Sequence, residues 1–354
     1  MNTVDRYLMV HIAGGLFIAA AVLIPLFSFL DLLEQLEDVG EGFYETRNAF
    51  QYVALLLPRR IIQLAPFIAL LGTVIALGRL AVHNELTAIR AAGLSPVHIG
   101  EVTLKIGALL LLLIAVLEQT VAPDLQQKAL ALRAEALART TELGEDLGVW
   151  TRDERQILRI GDTRRTRMPR DIEILRLDDR GFLAEHVQAA QAEIRDDGRW
   201  LLKGVIRRQL VNSSVRIERM DMLEWIPFLN PDQISTLSRP PESLAPGELY
   251  EYVRYLRETG QQADAYALAL WRKLGGALTM IAMLMLSIPF ALGSAHTGLG
   301  HRLVLAAVTG IIVYLLDQII SNAGLLLNMS PPVIALAPGI ILIAIASWAL
   351  QRVK

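Results

Sequence analysis

Six stretches of this chain are apolar for about the 20 residues that a helix needs to cross a hydrocarbon layer. They lie at about 10–31, 58–80, 102–122, 268–293, 302–321 and 333–350. No other feature restricts the fold as strongly. Hydrocarbon offers no water to a backbone N–H or C=O, so a spanning segment must satisfy its own hydrogen bonds, as a helix does. Between the third and fourth stretches lies a polar block. The pattern predicts an α+β membrane protein: transmembrane helices over 1–123, an inserted domain over 124–265 and further helices over 266–354. Composition agrees, with 53% of the 354 residues hydrophobic and only 20% charged, where a soluble domain carries about a quarter. The first stretch, from Val10 to Leu30, exceeds a typical leader core and has no small-residue cleavage site after it. It reads as a retained span.

Short loops orient such a chain through their Lys and Arg. Arg6, Arg79, Arg90, Arg302, Arg352 and Lys354 fall on one side if six spans are right, with His296 and His301 beside Arg302. The first loop on the other side, 34–50, holds Glu34, Glu37, Asp38, Glu41 and Glu45 against Arg47 alone, and the loop 322–331 has no charge. The expectation is cytoplasmic termini and an extracytoplasmic polar block. That block is rich in Arg, but long domains cross largely regardless of charge.

Within the block, DLQQKALALRAEALARTTE (124–142) has helical spacing and should continue the third span. The period then changes. QILRI, IEILRL, RWLLKGVIRRQLV and SVRIERM are short and partly alternating, with turn signals IGD, DDRG, RDDG and VNSS between them. They predict an antiparallel sheet. GDTRRTRMPRD is a polar loop whose 164–170 arginines suit solvent better than lipid headgroups. PGELYEYVRYLRET (246–259) starts at a proline, carries acids early and ends before Gly260, which predicts a second helix.

Much is excluded. The chain has no cysteine, hence no disulfide, catalytic thiol or thiolate metal site. It lacks G-x-x-x-x-G-K-[ST], H-E-x-x-H and G-x-S-x-G, and its six histidines have no ligand spacing. Catalytic residues, metal ligands and a bound cofactor are therefore not expected. A net charge of −2 gives no reason to expect nucleic-acid binding.

One polar island interrupts the first three spans: HNELTAIRAAGLSPVHIG, residues 83–100. A solvated turn would account for it. Yet Leu86, Ile89, Arg90 and Gly93 recur at three-and-four spacing, which predicts a short helix over about 83–93. Such a helix at the mouth of a transporter can insert into a separate ATPase, with one charged anchor, here Glu85, taking the load.

HNELTAIRAAGLS resembles the coupling helix of the lipopolysaccharide-export permeases, the LptF/LptG family, with its x-[SN]-E-[LM]-x-x-[MI]-x-A-x-G. DRYL (5–8) resembles the family's start, WTRDERQILRI (150–160) its first periplasmic strands and WRKL (271–274) the opening of its fourth span. VYLLDQI (313–319) followed by MSPPVIALAP (329–338) resembles the LptG branch more than LptF. In this order, on a three–domain–three plan, the matches are specific.

The resemblance implies an inner-membrane half-transporter whose inserted domain is a periplasmic β-jelly roll. It would pair with an LptF-like permease, sit on an LptB-like ATPase dimer that uses the ATP, work with an LptC-like jelly-roll protein and move lipopolysaccharide. Glu85, Leu86, Ile89, Arg90 and Gly93 would couple to the ATPase. Arg59 and Arg60 follow Pro58, and two readings stay open for them: snorkelling at the interface, or a clamp on lipid phosphates. The family implicates a basic residue at the Arg59 position in substrate binding. Asp31 departs from the family, which often carries a basic residue near there, so no phosphate contact is carried over to it. Glu118 and Asp317 lie near span ends, where hydration is the expected account, and Pro66 and Pro289 should kink their helices. Rival readings are an LptF-type subunit, a non-transporting scaffold with a docking domain, and a mechanotransmitting permease. The last of these usually has four spans with its domain after the first.

Overall fold

The computed structural model describes residues 3–137, 149–152, 156–162, 169–178, 182–195, 199–211, 214–225, 240–258, 263–292, 298–327 and 329–352. Among the described residues six helices are long and apolar enough to cross a membrane. They are α1 (Thr3–Glu37), α2 (Thr46–Val82), a rod made of α4 (Pro96–Val116), a π turn (Leu117–Val121) and α5 (Ala122–Leu137), and then α7 (Asp264–Leu292), α8 (Leu299–Leu326) and α9 (Pro331–Arg352). The short helix α3 (Glu85–Ala91) lies between α2 and α4, and α6 (Pro246–Glu258) precedes α7. Each spanning helix outruns its apolar stretch, because polar residues continue the same backbone ladder beyond the hydrocarbon. The helices run through Pro58, Pro66 and Pro289 without a break.

Contacts separate the chain into two units, one holding the long helices and the other holding the sheet and most of α6. In the first unit α2 is central. Leu64, Ile68, Leu77 and Leu80 share a buried cluster with Leu8, Ile12 and Leu16 of α1, Ile99 and Val102 of α4, and Ile288 and Ala291 of α7. Leu70 and Val74 share another with Met283 of α7 and Ala306 and Val313 of α8. Without water to drive apolar helices together, association relies on close packing at small residues. A Cβ on Gly15 of α1 would sit 2.2 Å from the Gly72 carbonyl oxygen of α2, and one on Gly275 of α7 would sit 2.2 Å from the Ala335 carbonyl oxygen of α9. At both crossings only glycine fits.

In the second unit six antiparallel strands pair in chain order. They are β1 (Val149–Arg152), β2 (Gln156–Asp162), β3 (Arg170–Leu177), β4 (Leu183–Ile194), β5 (Trp200–Val211) and β6 (Ser214–Trp225). The sequence expectation of a β domain inserted between two helical halves holds. Among the described residues the strands make one sheet of successive hairpins. Of the 164–170 arginine loop, residues 164–168 lie outside the described residues, as does His296, whereas Arg170 opens β3. The core combines Leu158, Ile160, Ile172, Ile174, Val187, Val205, Trp200, Leu202 and Trp225, with Tyr255 of α6 packed against it. Trp200 and Trp225 meet edge to face at 5.5 Å.

Burial alternation slips by one residue in two neighbouring strands, after Ala189 in β4 and between Leu202 and Val205 in β5. Gly204, with φ +63°, sits at that slip opposite Ala190. Its left-handed backbone turns the side-chain sequence over, so residues on both sides of the bend reach one core.

The Gly15–Gly72 crossing yields a matched pair of variants. Gly15→Val forces α1 from α2 and should lower the thermal unfolding temperature of the purified protein by several degrees, as a loss of about 1–3 kcal/mol would. Gly14→Val, where nothing lies within 4 Å of an added Cβ, should leave it unchanged.

Candidate functional site

The polar island folds into a stiff bracket. Asn84, at φ 59°, turns the chain out of α2 into α3. Gly93, at φ 95°, ends α3: its N–H bonds the Arg90 carbonyl and the Leu94 N–H bonds the Ile89 carbonyl. These two bonds form a Schellman motif, which a left-handed glycine permits. Ser95 then caps α4, its Oγ accepting the His98 N–H at 3.2 Å, with Pro96 at the first helical position.

The five residues expected on the coupling face separate into distinct roles. Leu86 is 2% exposed and joins the cluster of Leu8, Ile12, Leu80, Ile99 and Ile288. Ile89 packs partly against the same cluster. Arg90 is half-buried. Gly93 is exposed and lies past the helix end, so it shapes the turn instead of lining a face. Glu85 accepts a hydrogen bond from the Tyr7 hydroxyl of α1. Thr87, Ala88, Ala91 and Ala92 form an exposed, shallow outer surface. The His98 ring Nε2 bonds the Asp5 carboxylate at 2.9 Å, and Asp5 is 8% exposed. Tyr7 and Asp5 were not singled out from sequence beyond their place in DRYL. No local pattern joins residues 78 and 93 positions apart.

Arg59 and Arg60 are neighbours on α2, both half-buried. The Arg60 guanidinium grips the Asp31 carboxylate of α1 with two N–H groups, its Nε at 2.8 Å, while a third donates to Gln63 Oε1 at 2.9 Å. Asp31 thus has a partner in its own chain, which accounts physically for an acid at this point of the first span. At the same end of α1, Arg133 of α5 pairs with Asp38 and lies over the Tyr52 ring. The Phe43 N–H bonds the Ala136 carbonyl at 2.9 Å, so the acidic 34–50 segment is tied to α5.

The charges near span ends have protein partners where hydration was the expectation. Lys273 Nζ of α7 donates to Glu118 in the π turn at 3.0 Å, with side chains only 15% and 18% exposed. Its neighbour Arg272 donates to Asp317 of α8 at 3.3 Å. Two consecutive cations therefore tie α7 to a helix of each half. WRKL carried these residues, but their partners lie 155 and 45 positions away. Arg302, expected as a loop cation, is buried and donates to the Ala291 carbonyl in the last turn of α7, where a cation opposes the negative end of the helix dipole. Among the described residues no group of three or more His, Asp or Glu could hold a metal ion.

Comparison with known proteins is consistent over the whole length. A family model described as lipopolysaccharide export system permease LptF/LptG matches residues 6–352. The chain is 29% identical over 354 residues to the lipopolysaccharide export system permease protein LptG of Haemophilus influenzae, covering 99% of both chains. It is 27% identical to the protein of the same name from Escherichia coli K12, covering 99% of this chain and 98% of the relative.

The Glu118–Lys273 pair makes a prediction about the bundle. Lys273→Ala leaves a carboxylate unpaired in a place sparsely reached by water, and should destabilise the purified protein by about 3–5 kcal/mol. Replacing both groups, Glu118→Leu with Lys273→Met, should recover most of that loss. Thermal unfolding in one detergent, compared across the three proteins, measures it.

Proposed function

Because the chain belongs to the LptF/LptG family of lipopolysaccharide export system permeases, we propose that it is the LptG-type half of an inner-membrane lipopolysaccharide exporter. The observation that carries this reading is the family match from residue 6 to 352, over a multi-pass bundle with an inserted β domain. The relatives compared above are both LptG proteins, which favours the LptG role over the LptF-type alternative. In this reading the first three spans occupy 1–123, the periplasmic domain 124–265 and the last three spans 266–354, with both termini cytoplasmic. The partners are an LptF-like permease, an LptB-like ATPase dimer and an LptC-like jelly-roll protein. The chain binds no cofactor of its own, and the ATPase hydrolyses ATP for it.

The mechanism follows from what each region can do. Apolar side chains stand exposed along α1 (Phe17, Val22, Leu26, Phe29) and α8 (Ile311, Ile312, Leu315, Ile319). In a bilayer these faces meet acyl chains or another apolar helix. Lipid phosphates need cations at the rim, and guanidinium suits their paired oxygens. Arg59 is the proposed phosphate ligand. Arg60 contributes only where a phosphate displaces Asp31, since that carboxylate already holds two of its N–H groups. The ATPase would bind the exposed side of α3, with Glu85 and Arg90 as the charged contacts and Leu86 and Ile89 rooting the helix in the bundle. Binding moves a two-state equilibrium only through contacts that differ between the states, and those around α3 change with the nucleotide on the partner.

Glu85→Lys should abolish lipopolysaccharide release from proteoliposomes holding the full complex, and Glu85→Ala should reduce it at least tenfold, an energetic loss of about 1.4 kcal/mol or more. Membrane levels of both variants should match the parent chain. Release at the parental rate from both would remove the coupling role.

A further inference from the structure

How would motion of α3 reach α1? α2 and α4 are joined to α3 through the tight turns at Asn84 and Gly93, so displacement of α3 pulls on them through the backbone. α1 has no such link. It meets the bracket through space at three points on its first turns: Leu8 and Ile12 beside Leu86, the Tyr7 hydroxyl on Glu85, and the Asp5 carboxylate on His98. The polar contacts straddle α3, one at its first residue and one beyond its end. Apolar contacts alone let a helix slide, because they have little directionality, whereas hydrogen bonds fix register.

α1 is also the spanning helix with the least of its surface buried, and its distal part carries Asp31, the carboxylate held by Arg60. A push entering at Tyr7 and Asp5 would therefore reach the rim cations along one helix.

We propose that Asp5, Tyr7 and His98 are positioning residues for transport: they lock the first turn of α1 to the coupling helix, so that α3 and α1 move as one body. Tyr7 holds Glu85 from the bundle side and Asp5 holds His98 beyond the helix. The inference rests on the coupling role proposed for α3, and adds to it that α1 receives the stroke directly.

The test uses the complete complex in proteoliposomes containing lipopolysaccharide, with Tyr7→Phe, Asp5→Asn and the double variant. Tyr7→Phe removes one oxygen and keeps the ring contact with His11 at 4.1 Å, so the fold should persist. The expected result is normal co-purification of the ATPase and ATP hydrolysis within about twofold of the parent. Lipid released per ATP should fall on the order of fivefold, the scale of one or two lost hydrogen bonds. A structural defect would instead lower membrane levels and co-purification together.

A second measurement reads the movement itself. The chain has no cysteine, so Val10→Cys on α1 and Val97→Cys beside His98 at the end of the bracket, both exposed, can carry spin labels without background once the partner chains lack cysteine. Their separation should stay within about 2 Å between nucleotide-free and ATP-bound complexes, the scale of a small helix shift. In the double variant it should change with nucleotide. A separation that changes in the parent, or full lipid release per ATP in the double variant, overturns the proposal. Glu85→Ala in parallel separates the two ideas. If it fails while Tyr7→Phe/Asp5→Asn transports fully, the lock is wrong and coupling through α3 stands. If it transports fully, the coupling role falls as well.

Discussion

Hydrocarbon offers a polar group no partner, and the backbone and several charged side chains of the helical unit answer to that constraint. Backbone groups are satisfied by helices that continue past the apolar stretches. Several charged side chains in or near the spans find partners within the chain: Asp31 with Arg60, Glu118 with Lys273, Asp317 with Arg272, and Arg302 with the Ala291 carbonyl. Each partnership joins two different helices. The groups most costly to place in the bilayer are thus also the ties that fix which helix lies beside which.

That economy bears on transport. A bundle held only by apolar contact would have many near-equivalent packings in lipid. The Gly15–Gly72 and Gly275–Ala335 approaches restrict the crossings, and the ion pairs restrict rotation about each helix axis. The least buried spanning helices are α1 and α8, and α3 keeps an exposed outer side. The proposed ATPase contact and the proposed acyl-chain surfaces both fall there, which is where a machine that changes shape must keep its packing light.

Much of this was legible in the residues. Runs of about 20 apolar residues marked six helices, because hydropathy reads the solvent directly. Within HNELTAIRAAGLSPVHIG a short helix was read over about 83–93, and α3 occupies Glu85–Ala91 of it. QILRI, IEILRL, RWLLKGVIRRQLV and SVRIERM became β2, β3, β5 and β6. LAEHVQAAQAEI, the central strand β4, was missed, since its alanine, glutamine and glutamate favour a helix in isolation. Paired neighbours on both sides overrode that preference, with Val187 and Ala189 small enough to fit under the core. Gly93 read as a face residue and is a terminator, a distinction that lies in φ and not in spacing.

Sequence alone determined the solvent of each segment, the three–domain–three order and the family, because hydropathy and short motifs are local properties of consecutive residues. Tertiary structure alone decided that Asp31 answers Arg60, that Tyr7 holds Glu85, that Asp5 holds His98, and that Arg272 and Lys273 serve helices from opposite halves. Those pairings are set by which helix faces meet across the bundle. A one-residue change of rotation, about 100° on an α-helix, would replace every one of them while leaving the hydropathy profile untouched.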